Sequence, residues 1–368
     1  MNHKKRRIFA LLQVAVALLI SLISFTGTAQ TVTLPRLSPQ ASVTQTIGIS
    51  IVTIKYSRPS VKQRKIWGEV VPFGLNVQTA MGPGNPSPWR AGADENTTIS
   101  FSHDTKVEGI NVPAGTYGLF FIINEDNSGE VILSKNQNSW GSFFYNPAED
   151  QLRAKIKIRD NAFTELLTYD FINITKNNGE IVLNWEKKQF PVKISYAVNE
   201  IVMANAKEEL KGAAGFGIAG YISAAYYALQ NNINTEQGLI WINKALEHEP
   251  TNYEAIWVKS RYLFRDGKSE EAEKMIKESM EKASENDISS FGNLLLGLSI
   301  TDRSIKIFLI YTERYPKSAN AWYYLGEGYF KKGDKENAIK SYKKSLTLSP
   351  ANDTKVNATK KLKELGAL

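Results

Sequence analysis

From residue 41 to residue 196 apolar and polar positions alternate along the chain, and from about residue 199 onward they recur with a helical spacing instead. In "IVTIKY" Val52, Ile54 and Tyr56 share one face of an extended segment while Thr53 and Lys55 take the other. "KIKIR" sets Ile156 and Ile158 against Lys155, Lys157 and Arg159, and "FPVKISY" places Phe190, Val192, Ile194 and Tyr196 on one side. A period of two with one apolar face marks a strand that packs on a core by one side only. Further strands are expected over residues 98–103, 116–124, 129–133, 165–174 and 179–185, with Asn177, Asn178 and Gly179 as a hairpin turn because Asn and Gly tolerate the positive φ it needs. Eight or nine short strands with almost no helical pattern predict an antiparallel β-sandwich or jelly roll over residues 34–197, with a closed barrel as the alternative.

Residues 198–368 are rich in Ala, Leu, Glu and Lys and carry an internal repeat. In "NAWYYLGEGYFKKGDKENAIKSYKKSLTLSP" Trp322, Leu325, Gly326 and Tyr329 fit the W-x2-L-G-x2-Y pattern of the tetratricopeptide repeat, and Ala338, Tyr342 and Pro350 fall at its later positions. Stepping along the chain, the small position reads Gly238, Ala272, Ser304 and Ala338, at spacings of 34, 32 and 34 residues, and the large position reads Ile242, Ile276, Phe308 and Tyr342. Prolines at 250, 316 and 350 recur where a helix pair should stop. The expectation is an all-α solenoid of about four helix pairs, since one pair cannot bury its apolar face alone and stacked pairs leave a concave groove. Trp257, Arg261, Tyr323 and Glu327 fall at the groove positions, where they would meet a protein or peptide partner; the alternative for the two aromatics is packing between helices. The glycine-rich "KGAAGFGIAG", residues 211–220, reads as a hinge or a closely packed helix pair, and Glu270 with Lys274 and Glu273 with Lys277 read as i,i+4 pairs on a solvated face.

The first 29 residues add an address. Lys4, Lys5, Arg6 and Arg7 precede an apolar run over residues 8–25 and a small-residue exit at Gly27, Thr28 and Ala29, the pattern of a signal peptide whose removal would leave Gln30 first. An uncleaved anchor is the alternative, because the run approaches the length that spans a bilayer. The expected location is therefore the periplasm or the exterior, with no membrane span after cleavage. Of the net charge of +8, four positive charges lie in this segment, so a chain lacking it carries +4. That mild balance, without basic runs interleaved with aromatics, argues against nucleic acid as a partner. The chain has no cysteine, which excludes disulfides, thiolate metal sites and a cysteine nucleophile.

Four stretches of the β half carry a resemblance: "YSRPSVKQRKIWG" from Tyr56, "WRAGADENTT" from Trp89, "VPAGTYGLF" from Val112 and "LNWEKKQFPV" from Leu183. In order and wording they resemble the bacterial domain-of-unknown-function 2911 family, over about residues 34–196. The resemblance implies an all-β domain, often exported and sometimes followed by helical repeats, with no established activity and hence no catalytic residues to carry over. Family members run directly from their V-P-[FY]-G turn into W-R-x-G-A, whereas "LNVQTAMGPGNPSP" intervenes here between Gly74 and Trp89 and, with three prolines and two glycines, is expected to be a loop.

The chemistry of the β half centres on that tryptophan-arginine stretch. Arg90 is a planar, permanently charged donor suited to carboxylate, phosphate or sugar hydroxyls. Arg58, Arg64, Trp89, Glu95 and His103 are the other candidates for a ligand site on an envelope carbohydrate or phosphate compound. Against a hydrolase, adjacent Asp94 and Glu95 point apart in an extended chain, and no G-x-S-x-G motif accompanies the serines. The structural alternative makes Trp89 a cover for one end of the sandwich and pairs Arg90 with Asp94, Glu95 or Asp170. His103 and His248 are the only histidines beyond the leader and lie in different halves, so no metal site and no cofactor are expected. The reading is an exported, non-catalytic binding and scaffold protein, with an envelope hydrolase or small-ligand site as the alternative.

Overall fold

A computed structural model describes residues 34–77, 82–281 and 283–368. The proposed leader and its cleavage site lie outside the described residues. The chain divides into two compact units, one holding most of residues 34–194 and the other the chain from Ser195 to Leu368.

The first unit contains two antiparallel sheets. Strands β1 (Gln40–Ile47), β2 (Ser50–Ser57), β5 (Thr98–Phe101), β8 (Gly115–Ile123), β9 (Ser128–Ser134) and β10 (Asp150–Lys157) form a six-stranded sheet in the order β1-β2-β5-β8-β9-β10. Strands β11 (Arg159–Ile172), β12 (Asn178–Ser195), β6 (Thr105–Val107) and β7 (Ile110–Val112) form a four-stranded sheet in the order β11-β12-β6-β7. Val52, Ile54, Tyr56, Ile156, Ile158, Phe190, Val192 and Ile194 are all buried, as their alternation requires. Rings from the two sheets meet in the core, Tyr56 with Tyr169 at 4.7 Å and Phe121 with Phe190 at 5.2 Å, so the architecture is a sandwich and not a closed barrel.

The insertion is not structureless. Asn76–Val77 (β3) and Pro86–Ser87 (β4) pair antiparallel, so its two ends are pinned as a small hairpin beside Trp89. The two expected strands over residues 179–185 and 190–196 are one strand, β12, whose register with β11 shifts on either side of the Thr164–Glu186 pair because β11 carries the extra residues; Glu186 has a φ of +52°. Its partner β11 begins at Arg159, six residues before the expected start.

The second unit is helical: α1 (Val198–Glu209), α2 (Ile218–Asn231), α3 (Thr235–His248), α4 (Tyr253–Arg265), α5 (Ser269–Glu281), α6 (Glu285–Gly297), α7 (Thr301–Arg314), α8 (Ala319–Lys332), α9 (Lys335–Thr347) and α10 (Asn352–Glu364). The eight helices α2–α9 form four pairs, and the repeating small and large positions sit on the second helix of each, where every one is buried. Close approach also calls for small residues on the first helices: a Cβ on Gly326 of α8 would stand 2.6 Å from Tyr342 Cδ1, and one on Gly292 of α6 would overlap the ring of Phe308. Caps set the ends. Ser284 and Asp287 make a capping box at α6, Ser318 caps α8, and Gly333 closes α8 at φ +82°. The glycine-rich turn between α1 and α2 is tightly packed, since a Cβ on Gly215 would strike the Leu210 carbonyl. On the charged face of α5 the ion pairs run differently from the expected set: Lys274 meets Glu278 at 3.8 Å, and Glu273 meets Arg303 of α7 at 3.6 Å.

Candidate functional site

The tryptophan-arginine stretch is built around one carbonyl. Ala91 is fully buried at φ +55°, a left-handed conformation that costs an alanine about 1–2 kcal/mol. Its carbonyl accepts from the Tyr169 hydroxyl at 3.0 Å and from Thr97 Oγ1 at 3.1 Å, which holds the turn in place. Gly92 is required beside it, since a Cβ there would lie 2.6 Å from Thr97 Oγ1. Trp89 is fixed on the other side by two backbone hydrogen bonds with Phe121, each 2.9 Å. Its ring stacks on Trp185 at 5.8 Å and meets the edge of Trp67, while Trp67 Nε1 donates to Glu186 at 3.1 Å. An aromatic wall of Trp67, Trp89, Trp185 and Phe190 results.

A pocket of about 450 Å³ opens against this wall. The segment before β3 supplies Pro59, Ser60, Lys62 and Arg64; the tryptophan-arginine stretch supplies Trp89, Arg90, Gly92 and Ala93; β12 supplies Trp185; and the inserted hairpin supplies Asn76 and Ser87. The first segment is placed because it leaves β2 and pairs with β11, through Val61 N to the Glu165 carbonyl and Leu167 N to the Pro59 carbonyl. Lys62 and Gln63 then adopt φ +47° and +57°, which turns the chain back toward the pocket.

Three cations therefore line the pocket, Lys62, Arg64 and Arg90, and its described lining holds no carboxylate and no imidazole. Arg90 donates through Nη1 to the Asp94 carbonyl at 2.9 Å, packs on Gly141 and forms no ion pair among the described residues. Burial lowers its pKa against the opposing pull of Asp94. Arg64 is exposed and donates to the Val61 carbonyl through Nε and to the Ser60 carbonyl through Nη2. Trp185 is 1% exposed, and its indole N–H has no acceptor among the described residues, which costs about 1–3 kcal/mol if nothing else accepts it.

The sequence candidates thus separate. Arg64, Trp89 and Arg90 meet in the pocket, and Lys62, Asn76 and Trp185 join them. Arg58 does not: its Nε donates to the Leu167 carbonyl at 2.9 Å, tying the end of β2 to β11. Glu95 lies in a different depression with Gln40, Lys55 and Tyr56, where Arg36 Nη2 holds it at 2.6 Å and reaches Asp94 at 3.4 Å. The hydrogen bond from Arg36 keeps the Glu95 carboxyl below the usual glutamate range, with burial acting in the opposite direction. His103 shares a 2.9 Å hydrogen bond with Ser102 and lines none of these depressions, and Asp170 accepts from Phe171 N, away from Arg90. Arg36 carries no local signal, because its partners lie nearly 60 residues away in sequence. Lys62 and Trp185 lie inside two of the quoted stretches.

In the helical unit Trp257 is 3% exposed and meets Phe291 edge-on at 6.3 Å, so its ring belongs to the core. Arg261 lies 5.8 Å from the centres of both the Trp257 and Tyr226 rings. Tyr323 is half-buried against Tyr324 and Tyr342, and Glu327 accepts from the Tyr342 hydroxyl at 2.5 Å. No helix among the described residues is long and apolar enough to cross a membrane.

Residues 38–194 match the family model described as protein of unknown function (DUF2911), and residues 319–352 match the tetratricopeptide repeat, a protein-interaction module. No curated protein matches the chain. Similar solved structures include Pseudomonas aeruginosa pilF, 18% identical over 42% of this chain and 71% of that one, with a TM-score of 0.24. MamA from Desulfovibrio magneticus RS-1 is 16% identical over 42% of this chain and 94% of its own, with a TM-score of 0.22. YrrB, described as a TPR protein with an unusual peptide-binding site, is 20% identical over 43% of this chain and 97% of its own, with a TM-score of 0.19. Likenesses at this level say nothing about ligand or partner. The chain joins a β domain that matches the DUF2911 family model over residues 38–194 to a helical domain that matches the tetratricopeptide repeat over residues 319–352.

Proposed function

We propose that this is an exported, non-catalytic scaffold whose helical repeats hold a segment of a protein partner. The observation that carries the reading is the register of the four helix pairs, in which Gly238, Ala272, Ser304 and Ala338 are all buried at equivalent places on successive second helices. In this reading the first helices α2, α4, α6 and α8 are the walls of the groove that holds the partner. Arg261 on α4 and Tyr323 with Glu327 on α8 are the partner-facing side chains of this reading, and Trp257 supports Arg261 from within the core. Export rests on the leader pattern of the first 29 residues.

Photo-crosslinking from Arg261 and from Tyr323, each replaced by a photoreactive amino acid in the full chain, tests the groove in intact cells. Both positions are expected to give the same protein adduct, and Lys274 on α5 is expected to give none. Equal adducts from Lys274, or adducts from neither groove position, overturn the assignment. Mass analysis of the recovered protein, expected to begin at Gln30, tests the export.

A further inference from the structure

We infer that the pocket beside Trp89 is a binding site for a small hydroxylated oxyanion, a sugar acid or sugar phosphate by class, held by Lys62, Arg64 and Arg90. Three cationic residues line one cavity whose described lining contains no acid, while the Glu165 carboxylate beside it accepts from the Lys62 backbone N at 3.0 Å. Like charges gathered this way repel, so an anion between them is favoured both by attraction and by relief of that repulsion. Of the carboxylates nearest in sequence to Arg90, Arg36 holds Glu95 at 2.6 Å and reaches Asp94 at 3.4 Å, and the pull that Asp94 still exerts on Arg90 is outweighed by burial.

The aromatic side chains of Trp89 and Trp185 line the same pocket. The remaining polar lining is neutral: Ser38, Ser60, Ser87 and Asn76 offer hydroxyl and amide groups that pair with hydroxyls. The cavity volume suits a single sugar-sized ligand. Arginine supplies planar recognition of a carboxylate or phosphate, and Arg90 has used only one of its five N–H donors within the described protein.

The test is titration of the full chain with sodium glucuronate, glucose 6-phosphate, inorganic phosphate and glucose at constant ionic strength, read by calorimetry and by the fluorescence of the tryptophan cluster. Both sugar anions are expected to bind at or below the millimolar range and to change the fluorescence, inorganic phosphate to bind more weakly, and glucose not to bind. Lys62 and Arg64 are exposed, so K62E and R64E should fold, and each is expected to weaken the sugar anions by about tenfold, roughly 1.4 kcal/mol. K157E, on exposed Lys157 of β10, makes the same charge change away from the pocket and should leave affinity unchanged. Failure of both sugar anions to saturate by about 10 mM, equal binding of glucose, or equal effects of R64E and K157E would each overturn the assignment. Inorganic phosphate binding as tightly as the sugar anions would also overturn it, because the neutral lining would then contribute nothing.

Discussion

Replacing Gly326 with alanine adds one methyl group where α8 packs on Tyr342 of α9. The new Cβ would stand 2.6 Å from Tyr342 Cδ1, 2.7 Å from Cε1 and 3.1 Å from Cγ, against a normal carbon–carbon separation of about 3.5–4.0 Å. The ring would have to withdraw by about 1 Å. It has nowhere to go: Tyr342 is fully buried, and its hydroxyl is anchored on Glu327 at 2.5 Å. Overpacking of this kind costs about 1–3 kcal/mol, while alanine gains back up to about 1 kcal/mol of helix propensity. The expected net loss is about 1–2 kcal/mol, read as a lower urea midpoint for the helical signal in circular dichroism. Gly297, at the end of α6, is the control, because a Cβ there meets nothing within 4 Å; G297A should leave the midpoint unchanged or raise it by up to about 1 kcal/mol. Shortening the ring in the background of G326A tests the cause, since the loss from G326A should shrink when Tyr342 is valine. A G326A protein as stable as G297A would refute the close-approach account of the glycine in the repeat's W-x2-L-G-x2-Y pattern.

Gly141 sits at φ +61° with its α-carbon against the Arg90 guanidinium, so G141A should cost about 1–2 kcal/mol of stability in the β domain and also disturb the pocket, measured by thermal unfolding together with the anion titration. Arg36 tests the ion pair. Because Glu95 has a folded pKa below its ordinary 4.5, the pair's stabilisation is present above that value and lost as pH falls through the lower folded value, so R36Q should be less stable at neutral pH and lose less stability on acidification; identical pH profiles would contradict this. Arg58 is a tie between strands, not a ligand residue: R58M should lower stability by about 1 kcal/mol through the lost bond to Leu167, yet leave anion affinity unchanged.

What was legible in the sequence was local. Alternation in residues 52–56, 155–159 and 190–196 identified buried faces, and the repeat spacing identified the second helix of each pair, because both patterns are imposed by the geometry of one element on its own residues. The β6–β7 hairpin escaped because its strands are three residues long, although Glu108 and Gly109, with φ of +49° and +82°, mark its turn. Strand β12 reads as two because Lys187, Lys188 and Gln189 interrupt the apolar face next to the Thr164–Glu186 pair, where its register with β11 shifts. The inserted segment read as a loop from its prolines, yet Pro86 lies at a strand position with its partner Val77. The pocket itself needed three stretches, from residue 59, residue 89 and residue 185, to arrive at one place, and nothing in any one of them encodes the others' position.

The contrast between Arg58 and Arg90 explains why similar residues in similar stretches take different roles. Arg58 leaves a strand end and finds a carbonyl of the adjoining strand, so its position is determined by sheet pairing that exists without any ligand. Arg90 is held from behind by the Asp94 carbonyl and Gly141, with the turn at Ala91 kept left-handed by Tyr169 and Thr97. Lys62 reaches the same cavity through a second left-handed turn on a separate segment. Each conformation costs free energy and brings a positive charge closer to the others, which stability alone would disfavour. Two unrelated turns that converge on that outcome are accounted for together if the occupied pocket is the state in which those charges are satisfied.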